Sequence, residues 1–178
     1  MITYNSFNHN HQGDPHGLSA GQPVQGGGQI YSVSSSYIRL VGNWIDGERW
    51  RPGTLPQLVN YGIEIDPECH HITLQSNTAS NHGKTGYYIT SSTEITLSGE
   101  SATYNGEDGL FVSNYLGTLS PTVSVKGGTL QSNTTYDLRI WENVSSNAVC
   151  LQNDTTVGTI DSHSPGAYYR SASCPTYW

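Results

Sequence analysis

The chain reads as all-β, a β-solenoid in which short parallel strands stack coil on coil, and three observations predict it. Segments 38–43 (IRLVGN), 72–77 (ITLQSN), 95–100 (ITLSGE) and 123–128 (VSVKGG) share one grammar, two aliphatics two residues apart and then a small or polar turn. In the last three, a second strand-like segment starts 14 residues after the first aliphatic, at 86–89 (GYYI), 109–112 (GLFV) and 137–140 (DLRI). A constant internal spacing with variable connections marks stacked coils, because the core holds the strands in place and only the loops can vary. Third, Gly, Ser, Thr and Asn abound and Tyr outnumbers Phe 12 to 2, a composition that favours strands over helices. The spacing excludes an immunoglobulin-like sandwich, which would need antiparallel hairpins with short turns at regular intervals.

Aligning on the turn residue sets Asn5 with Asn43 and Asn77, and Ile2 with Leu40 and Leu74. The chain then opens in mid-strand. An open solenoid end exposes apolar core and unpaired backbone, so a longer β-helix or a covering chain is expected there. The first coil is expected over 2–21, with 17–20 (GLSA) as its second strand, followed by a Gly turn at 26–28 and a short strand at 29–33. The second coil, 38–66, is interrupted by 46–56 (DGERWRPGTLP), too polar and too rich in Pro and Gly for a core. Loops that leave a solenoid wall commonly make its binding site. Past Trp141 the pattern fades: 147–151 and 157–160 read as further strands, and 168–178 has neither alternation nor helical period. The expectation is a single domain of five to six coils over 1–160 and an irregular cap or tail over 161–178.

Composition narrows the functional classes. With 34% hydrophobic and 12% charged residues and a net charge of -7, no basic stripe is present to hold a nucleic-acid backbone. No stretch is apolar enough to span a bilayer, so no membrane partner is expected. Cys69, Cys150 and Cys174 are too few and scattered for a disulfide framework or a zinc site. Cys150 reads as a buried small hydrophobe inside a strand, with a bridge to Cys174 as the alternative. Asn133, Asn143 and Asn153 each begin an N-glycosylation triplet, a pattern that arises by chance in a chain so rich in Asn, Ser and Thr.

Strand alternation sends every second residue to each face. In successive coils Leu18, Ile63, Tyr87, Leu110 and Leu138 then point inward, as do Ala20, Ile65, Ile89, Val112 and Ile140. The outward columns are Ser19, Glu64, Tyr88, Phe111, Arg139 and Gly21, Asp66, Thr90, Ser113, Trp141. With coils about 4.8 Å apart, this wall holds two carboxylates, three aromatics and an Arg within roughly 20 Å. Exposed Tyr88, Phe111 and Trp141 call for a cover. Sugar rings stack on aromatics and hydrogen-bond charged groups, which makes Tyr88, Phe111, Arg139 and Trp141 candidate substrate-binding residues for a polysaccharide. A subunit interface of a homo-oligomer, or a loop of the same chain, would serve equally as the cover.

Segment 9–17 (HNHQGDPHG) holds three of the seven histidines. If the coils stack directly, Asp14, His16, Glu64 and Asp66 converge at one end of the aromatic strip. Paired carboxylates would support glycoside hydrolysis, and a His or Tyr among carboxylates would support proton abstraction beside a uronate carboxyl group. Tyr88 is the outward phenol nearest Glu64. The plainer readings are that Asp-Pro-His-Gly simply makes a turn and that Glu64 and Asp66 solubilise a wall. Histidines 9, 11 and 16 lack a closed ligand spacing, so no metal is expected, and no cofactor is implied. His70 and His71 fall at a coil corner and are expected to orient the turn, and Asn5, Asn43 and Asn77 read as a stacked Asn ladder.

The grammar Ile-x-Leu-x-Gly/Ser-Asn followed by Gly-hydrophobic-x-hydrophobic, over about 2–140, resembles the right-handed parallel β-helix superfamily. That group includes pectate-lyase-like enzymes, alginate lyases, mannuronan epimerases and phage tailspike depolymerases. Asp14-Pro15-His16 looks like the Asp-Pro-His element of the epimerase active site, with Asp14 and His16 then the acid/base pair. The resemblance implies a polysaccharide lyase, glycoside hydrolase or uronate epimerase acting extracellularly or on a virion surface. Tailspikes are typically trimers of longer chains, so a homotrimer is the oligomer it implies. The fold also hosts non-catalytic stalks, so a structural or adhesive role with the aromatic wall as a subunit interface stands beside it.

Overall fold

Aliphatics two apart along a strand bury one face only if a second strand covers them, and in a chain with one such strand per coil the neighbour is the next coil. The computed structural model, which describes residues 1–3, 6–8, 24–47, 58–115 and 119–177, shows this arrangement. The leading coils contribute β1 (Ile2–Thr3), β2 (Ser6–Asn8) and β3 (Val24–Ser32), then β4 (Arg39–Val41), β5 (Trp44–Asp46) and β6 (Leu58–Ile65). They are followed by β7 (His70–Gln75), β8 (Thr78–Ser80) and β9 (Tyr87–Thr90), then β10 (Thr93–Ser98), β11 (Ser101–Thr103) and β12 (Asp108–Ser113). The last are β13 (Val123–Lys126), β14 (Thr129–Gln131), β15 (Tyr136–Ile140), β16 (Val149–Gln152), β17 (Thr156–Val157), β18 (Ile160–Ser162) and β19 (Tyr168–Ser171). Every third strand pairs in parallel, giving sheets of seven, six and six strands that begin at β1, β2 and β3.

The protein is thus an all-β parallel β-solenoid, with no helix among the described residues. It makes about 4 turns, against the five to six expected. The two leading coils supply strands, but 9–23 and 48–57, which would close them, lie outside the described residues.

In the first sheet Leu40, Leu74, Leu97, Val125 and Leu151 stand in register, and Ile2 pairs with Leu40 as the turn alignment requires. In the third, Ile63, Tyr87, Leu110, Leu138 and Ile160 form one inward ladder and Ile65, Ile89, Val112 and Ile140 another. Leaving aside Ile2, and except for half-buried Ile160 at the far end, these side chains are essentially solvent-free. Each contributes about 1.5–3 kcal/mol by burial.

Four features depart from expectation. The second sheet went unseen in the sequence, because its strands are two or three residues long and β5, β8, β11 and β14 carry one core residue each, Ile45, Ala79, Ala102 and Leu130. In the first coil the strand on the third sheet is β3, whose Ile30 pairs with Ile63, the place assigned to Leu18; residues 17–20 lie outside the described residues. Cys150 is bridged to Cys174, and Cys69 remains a buried free thiol. In the expected tail, β18 and β19 continue the third and first sheets, β19 pairing with β16.

Two polar ladders run beside the apolar ones. At the corner between first and second sheets, Gly42, Ser76, Gly99 and Gly127 all adopt left-handed backbone. The residue after each of the first three turns inward: Asn77 Oδ1 accepts from Asn43 N and Nδ2 at 2.9 Å, and Glu100 Oε1 accepts from Asn77 N and Nδ2 at 3.2 Å. At the next corner Asn105 Oδ1 accepts from His82 N, Asn133 Oδ1 from Asn105 N and Nδ2, and Asp137 Oδ1 from Asn133 N and Nδ2. Each Asn passes the pattern on by donating, and the last member has only to accept, a role that suits a carboxyl group. The Asn43–Asn77 ladder was expected; the second one was not.

Candidate functional site: the outer wall of the third sheet

The third sheet's strands expose a column in which Tyr31, Glu64, Tyr88, Phe111, Arg139 and Asp161 lie in register. Beside it Asp66, Thr90, Ser113, Trp141 and His163 follow at the next outward position along the strands. Because coils repeat at about 4.8 Å, large outward rings meet their counterparts above and below. Tyr61 stacks on Tyr88 at 4.7 Å, Tyr88 reaches Phe111 at 5.3 Å, Phe111 reaches Trp141 at 6.2 Å, and Trp141 reaches His163 at 4.6 Å. This is a continuous row of five rings.

Their interplanar angles of 30°, 31°, 61° and 30° turn most ring faces toward one another. Such pairs are worth about 0.5–1.5 kcal/mol each beyond area burial, so the row stiffens the stack. What the wall offers outward is mainly ring edges and polar heads.

Arg139 is the electrostatic centre. Its guanidinium lies 4.4 Å from the Trp141 ring centroid, 5.6 Å from Phe111 and 5.7 Å from Tyr136. It also lies between two carboxylates, Nη1 3.7 Å from Asp108 Oδ2 and Nε 3.9 Å from Asp161 Oδ2. His163 Nε2 is 2.9 Å from the same Asp161 oxygen. Burial pushes Asp108 up to about 6, against the pull of Arg139. At the other end, Tyr31 donates to Asp66 Oδ2 at 2.9 Å, and Lys84 sits 5.2 Å over the Tyr61 ring. Burial, helped by the Glu64 charge, takes Tyr61 up to about 12, and the hydrogen bond to Asp66 does the same for Tyr31. Burial also raises Tyr88. The phenols of this wall stay protonated near neutral pH and act as hydrogen-bond donors; a phenolate base at Tyr88, entertained from sequence, is disfavoured.

Among the described residues, Thr90 Oγ1 and Asp108 Oδ1 are buried side-chain polar atoms of this wall without a hydrogen-bond partner, while Arg139 Nε has only the long Asp161 contact and Ser113 Oγ lies against the Tyr88 phenol. A buried polar atom without a partner costs about 1–3 kcal/mol, a local cost of building this wall.

The structure places Glu64, Asp66, Tyr88, Phe111, Arg139 and Trp141 on this one wall, with Glu64 next to Tyr88 in register and buried despite its outward column. Asp14 and His16 lie outside the described residues, as do Ser19 and Gly21. The rung before Glu64 is supplied by Tyr31. Sequence reasoning missed Tyr61, Asp108, Asp161 and His163. Asp161 and His163 could have been found by carrying the repeat one coil beyond Trp141; Tyr61 lies within β6 and Asp108 opens β12, where alternation counted from Ile63 and Leu110 assigns both to the inward face.

Comparison with protein-family models, with curated proteins and with solved structures returned no match, and the functional reading rests on the chemistry of this wall.

Proposed function

We propose that this protein is a polysaccharide-binding β-solenoid module acting at a cell exterior or virion surface, with the polymer lying lengthwise along the third-sheet wall. The observation that carries the reading is the in-register outward column of phenols, carboxylates and the Arg139 guanidinium, flanked by a row of aromatic rings, along one face of the third sheet. Sugar hydroxyls donate and accept at once, which suits a surface mixing acceptor-only carboxylates with donor-only Arg139. The Cys150–Cys174 bridge supports an oxidising compartment. The coil grammar and the Asp14-Pro15-His16 element support membership of the right-handed parallel β-helix superfamily.

Chain cleavage or epimerisation is the second half of the proposal. Glu64 and Asp66 supply carboxyl groups at one end of the wall; the acid/base pair expected from sequence, Asp14 and His16, lies outside the described residues. Asp108, a carboxyl that keeps its proton up to about pH 6, is a further proton donor.

The test is affinity electrophoresis against a panel of acidic and neutral polysaccharides, with size analysis of products and absorbance at the unsaturated-uronate band. Retention by at least one polymer, weakened at least about tenfold in R139A and W141A with fold and oligomer unchanged, is the expected result. Shortened chains with new absorbance identify a lyase, and shortened chains without it a hydrolase. No retention by any polymer would sink the reading. The rival is a structural or adhesive stalk whose wall is a subunit interface, favoured by the Arg and aromatic side chains that interfaces enrich. In that case R139A and W141A change the molecular mass in solution, the homotrimer included, and leave sugar retention unaffected.

A further inference from the structure

Away from the wall, at the corner where the chain enters the first sheet, three potential ligand atoms converge. His70 Nδ1 and His71 Nδ1 are 2.8 Å apart, and His71 Nδ1 is 2.9 Å from Glu94 Oε2. All three atoms lie within 4.8 Å of one another. Consecutive strand residues ordinarily point to opposite faces. Here His71 takes a left-handed backbone, φ 55°, which swings its imidazole to the side of His70. Glu94, level with His71 on the next coil, has φ 59°, and Tyr37, on the coil before, has φ 57°. The Tyr37 ring stacks on the His71 ring at 4.8 Å and holds the imidazole in place.

The proton count does not close without a cation. A single Nδ1 hydrogen on His71 can be directed well at either His70 Nδ1 or Glu94 Oε2, and the other then faces it as a second acceptor. If His71 instead accepts from His70, the Glu94 carboxylate faces a lone pair. A positive ion among the three satisfies all of them together. The separations fit: two ligand atoms about 2.0–2.1 Å from an ion and at right angles to each other lie about 2.9 Å apart.

We propose that His70, His71 and Glu94 bind a first-row divalent transition-metal ion, joining the β7 coil to the β10 coil. Imidazole nitrogens select Zn, Ni, Cu or Fe over Ca and Mg, which take oxygen ligands. The side chains of His71 and Glu94 are 25% and 40% exposed, so remaining coordination positions open to water. The ion acts as a staple between coils and raises resistance to unfolding, since it binds the folded arrangement and not the separated ligands.

The full chain, stripped with EDTA, is titrated with nickel chloride by calorimetry and melted with and without it, with calcium chloride as a second probe. His9, His11 and His16 are the other clustered imidazoles of the chain, so H9A/H11A/H16A is run alongside as a control. The expected result is one nickel equivalent and a raised melting temperature in the parent and in the triple variant. The same signals should be lost, or the affinity weakened at least tenfold, in H71A and E94Q, and H163Q should match the parent. If H71A fails to fold, H70Q with E94Q decides. Unchanged nickel affinity in the folded corner variants, loss of all binding in H9A/H11A/H16A, or a calcium response matching the nickel one would each overturn the site.

Discussion

Tyr87 donates its phenol hydrogen toward Glu100 Oε2 across 2.8 Å inside the solenoid, where both residues are almost free of solvent. The same phenol oxygen lies 3.0 Å from Asn77 O and 3.2 Å from Ser101 O, yet it carries one hydrogen. Burial pushes Glu100 up to about 8 and Tyr87 well above its usual range.

A folded pKa above the unfolded value contributes stability that is complete below about 4.5 and is lost as pH rises toward 8. Thermal melts of the parent should therefore fall between about 6.5 and 8, above the range in which His82 acts in the opposite sense. E100Q, which cannot ionise, should flatten the fall and melt above the parent at pH 9. A parent and variant with the same pH slope would show that Glu100 is already charged in the fold. Y87F, which strips one partner from a buried carboxyl, should lose about 1–3 kcal/mol in denaturant titrations.

His82 works in the opposite sense. It is buried, its Nε2 lies 3.2 Å from Ile45 O, and burial lowers its pKa to about 4. A base depressed on folding contributes stability present above about 6.5 and lost as pH falls toward 4. H82Q should remove this opposing slope, so that the fall caused by Glu100 begins near pH 4.5 instead of near 6.5. Melts between about pH 4 and 7 with the same slope in H82Q and the parent would show that His82 does not contribute there.

Gly109 stands where a Cβ would come within 2.6 Å of both Asn133 Nδ2 and Asp137 O, so the glycine makes room for the second polar ladder. G109A should cost about 1–3 kcal/mol by overpacking. G99A strains only the backbone, since its Cβ would meet Ser76 Oγ at 3.4 Å. It should cost less, and urea titrations of the two variants in parallel check the order.

The Cys150–Cys174 bridge closes 24 residues and ties the region after β19 to the first sheet. C150S/C174S should lose about 2–4 kcal/mol, read as a lower urea midpoint, and the parent should show the same loss under reductant. Equal midpoints with and without reductant would mean the bridge does not form in solution.

The third sheet was legible because its strands are long enough to alternate. Ile63, Tyr87, Leu110 and Leu138 turn inward and Glu64, Tyr88, Phe111 and Arg139 outward in the register that the 14-residue spacing implied. The second sheet was not legible, since a strand such as Thr78–Ser80 buries a single alanine and period two needs more than one cycle to be seen. The rows of the wall could be written from sequence, but the direction of the rings could not. Tyr88 and Phe111 were read as faces open to a sugar; they lie largely against each other, because coils about 4.8 Å apart bring successive rings into contact before any ligand arrives.

By itself the sequence determined the solenoid, its parallel register and which residues of the third sheet face out, since these follow from periodicity that repeats along the chain. Tertiary structure decided what periodicity does not encode. Left-handed corners bring His71 beside His70 and level with Glu94, Arg139 settles between Asp108 and Asp161, and Tyr87 meets Glu100 in the core. The reason is physical: alternation assigns a side chain to a face, whereas a contact between coils depends on turn geometry and loop length, quantities that a local pattern does not carry.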